Sequence, residues 1–139
     1  IIKANLEKNR KMVLLAHVVG ALYGVLAIIF GAFGAHALKS FFSADLLKSF
    51  ETGVKYQMYH AIVLLILGFN LNLSTSLEKY MVYCFIFGTL LFSFSIYALT
   101  LSAAKGKKIK FLGPITPIGG VLLVLGWGLL LYFFIQSIV

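Results

Sequence analysis

The sequence predicts an all-α integral membrane protein, a four-helix bundle with an interfacial amphipathic helix between its first and second spans. The chain has 139 residues, of which 61% are hydrophobic and 12% are charged. A soluble domain carries about 25% charged residues, so this chain has too few to coat a water-exposed surface. Four continuous apolar stretches each approach the roughly 20 residues that a helix needs to cross a bilayer core. Lipid is therefore the expected solvent for most of the chain.

The apolar stretches divide the chain into a short extension and one domain. Residues 1–11 form a basic N-terminal extension, and a single transmembrane domain covers residues 12–139. The first stretch is too long for the apolar region of a signal peptide, and an even number of spans places both ends of this domain on one side of the membrane. The four predicted spans are about 12–38, 54–73, 79–102 and 115–139.

The positive charge of the chain belongs to the ends of the predicted spans. The net charge is +8, and basic residues that flank spans face anionic headgroups. We therefore expect the lipid bilayer, and no nucleic acid, as the partner of these charges. Five basic residues lie on the side of the N-terminus and seven on the opposite side. Because the rule that relates positive charge to sidedness needs a clearer bias, it leaves the orientation open.

The first span carries a seam of small residues on one helix face. The seam members follow one another at spacings of four, three, four and three residues. Small residues let helix backbones approach closely in lipid. The pattern predicts that the first span is central to the bundle, or to a dimer, and packs through this seam against other membrane helices. The members are Gly20, Gly24, Ala27, Gly31 and Gly34.

Two helix starts have recognisable capping residues. Ser43 is the predicted N-cap of an amphipathic helix over about 44–58, which is expected to lie at the interface before the second span. Thr116 is the predicted N-cap of the fourth span, because Pro117 suits the first turn of a helix.

Polar side chains cluster where the first span ends, the second begins, the third ends and the fourth begins. The connectivity places these four points on one membrane face. Polar groups at membrane depth are usually turned inward and paired, so the pattern predicts a hydrogen-bonded network there. His17, at the other end of the first span, is expected to hydrogen-bond to a neighbouring helix at the opposite membrane face. The predicted cluster contains His36, Gln57, His60, Ser93, Ser95, Tyr97 and Thr116.

The candidate residues predict neither a catalytic nor a metal site. His36 and His60 have no neighbouring carboxylate or thiolate in the pattern, which favours a role in capping or cross-linking helices over metal or haem binding. Interfacial aromatics are routine in membrane proteins, and Tyr56, Tyr59, Trp127 and Tyr132 are interpreted in this way. The middle of each span lacks the charged relay groups of ion-coupled carriers. We therefore expect no enzyme activity and no cofactor.

Several motifs together resemble the YgdD/YwdK-like family of small bacterial membrane proteins. The resemblance covers roughly residues 12–139 and implies a four-helix protein of the bacterial inner membrane, in a family that has no established activity. The family pattern more often has glycine at the positions of Ala37 and Phe94. The motifs are GAFGAHALK at 31–39, YQMYH at 56–60, FSFSIY at 92–97, LGPITPIGG at 112–120, and Gly126-Trp127.

Two functional hypotheses follow from these features. The first is a scaffold or accessory subunit of a larger membrane complex, which would dock through the glycine seam and the amphipathic helix. The second is a small binding or transport module for a lipid or apolar metabolite. This module would use the face that contains His36, Gln57 and His60.

Overall fold

The structure, a computed structural model, describes residues 2–107 and 109–138, and all the regular secondary structure in these residues is helical. A five-residue π segment joins α3 to α4 without ending the helical rod, and a short 3-10 turn precedes α5. The elements are α1 (Ile2–Ala35), α2 (Ala44–Asn70), α3 (Ser76–Thr89), the π segment (Leu90–Phe94), α4 (Ser95–Ala104), the 3-10 turn (Lys110–Leu112) and α5 (Ile115–Gln136).

Three of the helical rods are long and apolar enough to cross a bilayer. They are Ile2–Ala35, Ser76–Ala104 and Lys110–Gln136. Their outward side chains are large and apolar; Ile28 on α1 and Val124 on α5 expose 68% and 71% of their surface. The protein is therefore a multi-pass membrane protein.

Helix α2 differs from the sequence-based prediction, which divided it into an interfacial helix and a span. It is one continuous helix from Ala44 to Asn70. No proline interrupts it, since both prolines of the chain lie at positions 114 and 117. Helix α2 is not among the three strongly apolar rods, and polar residues such as Gln57, His60 and Asn70 lie in its middle and second half.

The ends of α1 also differ from the predicted boundaries. The helix begins at Ile2, so residues 2–11, predicted as a separate extension, form its first turns. Glu7 and Lys11 pair there at 3.0 Å across one exposed turn. The helix ends at Ala35, so residues 36–38 lie beyond it.

Local side chains explain where the other helices begin and end. The Ser43 hydroxyl accepts a hydrogen bond from the Leu46 N–H, which confirms the predicted cap of α2. Thr75 and Glu78 form a capping box at the start of α3, which closes the short turn after α2. Gly106, with a φ of +71°, adopts the left-handed conformation that ends α4.

The small-residue seam of α1 packs against α2. A Cβ added at Gly20 would lie 3.0 Å from the Ala61 carbonyl oxygen, and one added at Gly34 would lie 3.3 Å from the Phe50 ring. Gly24 is the exception, because an added Cβ there meets no atom within 4 Å. Most of the surface predicted to dock onto other helices is thus already filled by the chain itself.

The central position in the fold belongs to α2, so the prediction that α1 is central to the bundle is wrong. The alternative, that α1 is central to a dimer, stays a prediction. Helix α2 contacts α1, α3, the π segment and α4, whereas α1 contacts mainly α2. Helix α5 packs against α3 and the π segment. No Cα atom of α5 lies within 8 Å of a Cα atom of α1 or α2. A crevice therefore opens between α2 and α5.

Glycines bring α5 against α3 and the π segment. Gly126 faces the Phe85 ring, and Gly88 faces Leu123, where an added Cβ would lie 3.0 Å from the Leu123 backbone nitrogen. Gly119 approaches the main chain of the π segment itself; an added Cβ would lie 2.8 Å from the Leu91 carbonyl carbon. Close packing through small residues is the expected mode of helix association in lipid.

Candidate functional site

A buried chain of hydrogen bonds joins α4, α2, α1 and α3. The Tyr97 hydroxyl donates to the Gln57 Oε1 at 2.8 Å, and the Gln57 Nε2 donates to the Tyr23 carbonyl oxygen at 2.8 Å. The Tyr23 hydroxyl then donates to the Ile86 carbonyl oxygen at 2.9 Å. Gln57 is fully buried, and both tyrosines are at most 5% exposed. These hydrogen bonds satisfy polar groups that would be costly to leave unpaired in an apolar interior.

The hydrogen bonds of His60 fix its tautomer. Its Nδ1 lies 2.7 Å from the Tyr56 carbonyl oxygen, which can only accept a hydrogen bond. The Trp127 Nε1–H, which can only donate, lies 3.2 Å from the His60 Nε2. His60 is therefore a neutral imidazole protonated at Nδ1. It cross-links α2 to α5 across the crevice, near the middle of both helices.

Ser95 and Thr116 form a second link to α5. The Ser95 hydroxyl donates to the Phe92 carbonyl oxygen at 2.9 Å, within the π segment. Its single proton is used there, so the Thr116 hydroxyl donates to the Ser95 Oγ at 2.6 Å. The prediction that Thr116 caps α5 is wrong: Pro114 occupies the N-cap position, and Thr116 bonds across to α4 instead.

The residues of the predicted cluster therefore form two links to α5 and one separate chain of hydrogen bonds, and His36 takes part in none of them. That residue follows the end of α1 and is exposed, because α1 ends one residue earlier. Gln57 and His60 do not lie at a helix end. Since α2 starts at Ala44, Gln57 is 13 residues into the helix, about 20 Å from its start.

Ser93 and two residues outside the cluster keep buried polar atoms without a hydrogen-bond partner among the described residues. They are the hydroxyls of Thr89 and Ser93, one helix turn apart on α3 and the π segment, and the Nε2 of His17. The His17 ring packs on Phe69 of α2, with ring centroids 4.4 Å apart. His17 thus contacts α2 at the opposite end of α1, but the predicted hydrogen bond to a neighbouring helix is absent from the described residues, so that prediction is wrong.

Three cavities follow one another along the crevice between α2 and α5, which we call the α2–α5 crevice. The first, about 510 Å³, lies between Leu46 on α2, residues 96–103 of α4, and Gly113 and Thr116 near the start of α5. The middle cavity, about 650 Å³, lies between Tyr56 and His60 on one side and Gly120 and Val124 on the other. The last, about 460 Å³, reaches Asn70 at the end of α2 and Phe134. Trp127 lines the middle and last cavities.

The walls of the crevice suit an elongated apolar molecule. Side chains of Phe92, Val121 and Val124 line its middle part, and the His60–Trp127 pair supplies polar atoms there. Between Leu46 and Leu71, which line its two ends, the crevice follows α2 for about 38 Å. That length matches the thickness of a bilayer, about 40 Å including its headgroups.

Sequence reasoning missed two of the residues that carry this site. Tyr23 lies three residues after Gly20 and four before Ala27, so its position on the seam face signals that it is buried. Trp127 lies 12 residues after Ile115, the first residue of α5. At about 18 Å from the helix start it is too deep for an interfacial aromatic. Depth along the span was the available signal for Trp127.

A double-mutant cycle tests the bond between Gln57 and Tyr97. Gln57→Leu is expected to lower the free energy of unfolding by about 1–3 kcal/mol, because it leaves the Tyr97 hydroxyl buried without a partner. Tyr97→Phe in the same background should cost little more, with a coupling of about 0.6–1.7 kcal/mol. Unfolding in sodium dodecyl sulfate measures all four proteins. Additive losses would show that the two side chains are not bonded.

Comparison with known proteins places the chain among membrane proteins of bacteria. A family model described as "Protein of unknown function (DUF423)" matches residues 30–120. The chain is 43% identical over 115 residues to a UPF0382 membrane protein of Staphylococcus aureus, a match that covers 82% of this chain and 89% of that protein. It is 35% identical over 112 residues to the UPF0382 membrane protein YwdK of Bacillus subtilis, covering 79% and 87%. No solved structure gives a significant match.

Proposed function

Because the chain belongs to the DUF423 family of membrane proteins, whose description carries no activity, we propose a function from its geometry: it binds a lipid in the α2–α5 crevice. The observation that carries the proposal is the middle cavity of about 650 Å³, which is apolar, is not enclosed, lies between α2 and α5 and contains the His60–Trp127 pair. Binding sites commonly combine apolar walls with a few well-placed polar groups. An acyl chain fits the walls. A lipid carbonyl or hydroxyl can bond to the indole or the imidazole only by replacing the hydrogen bond between Trp127 and His60.

The proposal requires that α2 also crosses the membrane, as the fourth span. Two pairs of contacts support this arrangement. Gly34 packs on Phe50 at one end of the α1–α2 contact, and His17 packs on Gly68 at the other. These 18 residues of α2 extend over about 27 Å, nearly the thickness of the hydrocarbon core. Outward side chains of α2, such as Ile62 and Ile66, are about half exposed and apolar.

A photoreactive lipid tests the proposal. The probe is phosphatidylcholine with a diazirine group in one acyl chain, irradiated in bilayers with the protein and mapped by mass spectrometry. We expect adducts on Tyr56 and Phe92, which line the middle cavity from different helices. Adducts on Ile62 and Ile66 would place α2 in the bilayer. Ile28 of α1, which is 68% exposed, reports the ordinary lipid shell.

Gly120→Leu is the matched blocking variant. An added Cβ at Gly120 lies 3.8 Å from the Phe92 ring, which is ordinary contact, so a larger side chain fills the cavity rather than displacing α5. We expect it to remove more than half of the adducts on Tyr56 and Phe92 and to leave those on Ile28 unchanged. The control is Gly128→Leu on the same helix, where an added Cβ meets no atom within 4 Å. Equal labelling of both variants would contradict the proposal.

A scaffold or accessory-subunit role is the second candidate function. One observation favours it: Gly24 leaves open space on α1, where an added Cβ meets no atom within 4 Å. Apolar side chains beside it, including Leu22, Val25 and Ile28, are more than half exposed. Another membrane helix could pack there. Purification in mild detergent with mass spectrometry of bound proteins tests this role, and Gly24→Leu should release any partner that docks at this position.

A further inference from the structure

The first cavity of the α2–α5 crevice differs chemically from the other two. Leu46, Ile96 and Leu99 give it an apolar body, as in the rest of the crevice. Lys110, from the 3-10 turn before α5, also lines it and is exposed, and Ser49 adds a hydroxyl. No acidic residue is among the described residues that line this cavity. The crevice is therefore cationic at the end that contains Lys110 and apolar along the rest of its length.

The other described lysines of the same loop point to a different place. Lys105 and Lys107 line a separate cavity with Ala98 and Leu101 of α4. That cavity shares only Ile109 with the one that contains Lys110. A general attraction of the basic loop to a membrane surface would involve all these lysines alike, whereas a charge preference that arises within the crevice would involve Lys110 and not Lys105 or Lys107.

The depth of Lys110 matches that of a lipid headgroup. The lysine lies in the connection between α4 and α5, at the level where those spans end. Headgroups occupy this level, and basic residues there attract anionic lipids. Trp127 lies deeper, near the middle of α5, where the acyl chains are. The order of groups along the crevice is thus the order of groups in a phospholipid.

We propose that the crevice selects an anionic phospholipid, an inference that rests on the proposed lipid site. Its phosphate pairs with the Lys110 ammonium group, and its acyl chain follows the crevice past Phe92 toward His60 and Trp127. The apolar walls of the crevice bind the acyl chain of any lipid, and Lys110 supplies the preference for a negatively charged headgroup.

The intrinsic fluorescence of the protein measures this preference, because Trp127 is the only tryptophan in the chain. Brominated acyl chains quench indole fluorescence on contact. In bilayers that mix brominated phosphatidylglycerol or brominated phosphatidylcholine with ordinary lipid, quenching curves give the relative association constants at Trp127. We expect phosphatidylglycerol to be favoured about fivefold, the ratio that ~1 kcal/mol produces.

Lys110→Gln is expected to reduce the ratio to near one, and Lys110→Arg should keep it. Lys105→Gln removes the same charge from the same loop but from the other cavity, so it should keep most of the preference. An equal loss in the Lys110 and Lys105 variants, or no preference in the unmodified protein, would overturn the proposal. Failure of the lipid site itself has a different signature: photoadducts from neutral phosphatidylcholine that Gly120→Leu does not change.

Discussion

Gly119→Ala is expected to lower the free energy of unfolding by at least ~3 kcal/mol, more than other single-methyl additions in this protein. The added Cβ would collide with the Phe92 backbone nitrogen and lie 2.8 Å from the Phe92 Cα and the Leu91 carbonyl carbon. Overpacking usually costs about 1–3 kcal/mol when side chains can move aside. Here the obstacle is main chain, so α5 must move away from the π segment. Thermal unfolding in detergent and titration with sodium dodecyl sulfate both measure the loss.

Gly120→Ala is the matched control for this substitution. It adds the same methyl group one residue later on the same helix, where the nearest atoms are 3.8 Å and 3.9 Å away in the Phe92 ring. Alanine favours a helix over glycine by about 1 kcal/mol, so stability should be unchanged or slightly higher. If both alanines had the same effect, α5 would not touch the π segment as described.

Phe85→Ala is the second substitution with a large expected effect. The Phe85 side chain is fully buried, and its ring centroid lies 5.6 Å from those of both His60 and Trp127. Removing a buried phenylalanine ring costs about 3–5 kcal/mol in proteins, partly through the cavity that remains. Because lipid is itself apolar, the transfer part of this cost is smaller here, and we expect about 3 kcal/mol.

The fluorescence of Trp127 gives a local measure of the same change. Without the Phe85 ring, the indole loses an edge-to-face neighbour at an interplanar angle of 81°, so its emission should shift. Phe87→Ala is the control, since that ring is 50% exposed on the same helix and should cost less than ~0.5 kcal/mol. A small loss for Phe85→Ala, comparable to that for Phe87→Ala, would mean that the Phe85 ring is not tightly packed against His60 and Trp127.

The packing of α5 shows which features of the fold the sequence alone predicts and which it does not. Gly119 and Gly126 are spaced by seven residues, a spacing that marks a packing face, and both do face α3 and the π segment. The π segment itself, Leu90–Phe94, has no signature in its sequence LLFSF, where the pattern is that of an ordinary helix. It forms where α3, α4 and α5 meet, so it depends on contacts that no single stretch of sequence contains.

For the polar residues, the sequence likewise predicts their burial but not their hydrogen-bond partners. Hydropathy and depth indicated that Gln57, His60 and Tyr97 lie inside the bundle, because an unpaired polar group in lipid is costly. Their partners were not predictable, since the bonds join residues 40 and 67 positions apart. The Gln57 amide bonds to Tyr97 and Tyr23, and His60 bonds to Trp127, because of how α2 is rotated between its neighbours.

The sequence by itself determined that this chain forms apolar helices in a membrane, with small residues where helices meet and polar residues turned inward. These properties follow from the composition and period of single segments. Only the tertiary structure decided that α2 is central, that the seam of α1 is filled and that a crevice remains between α2 and α5. In lipid, the buried and exposed faces of a helix are almost equally apolar, so hydropathy does not mark which face meets a neighbour. The packing of side chains on neighbouring helices makes that choice.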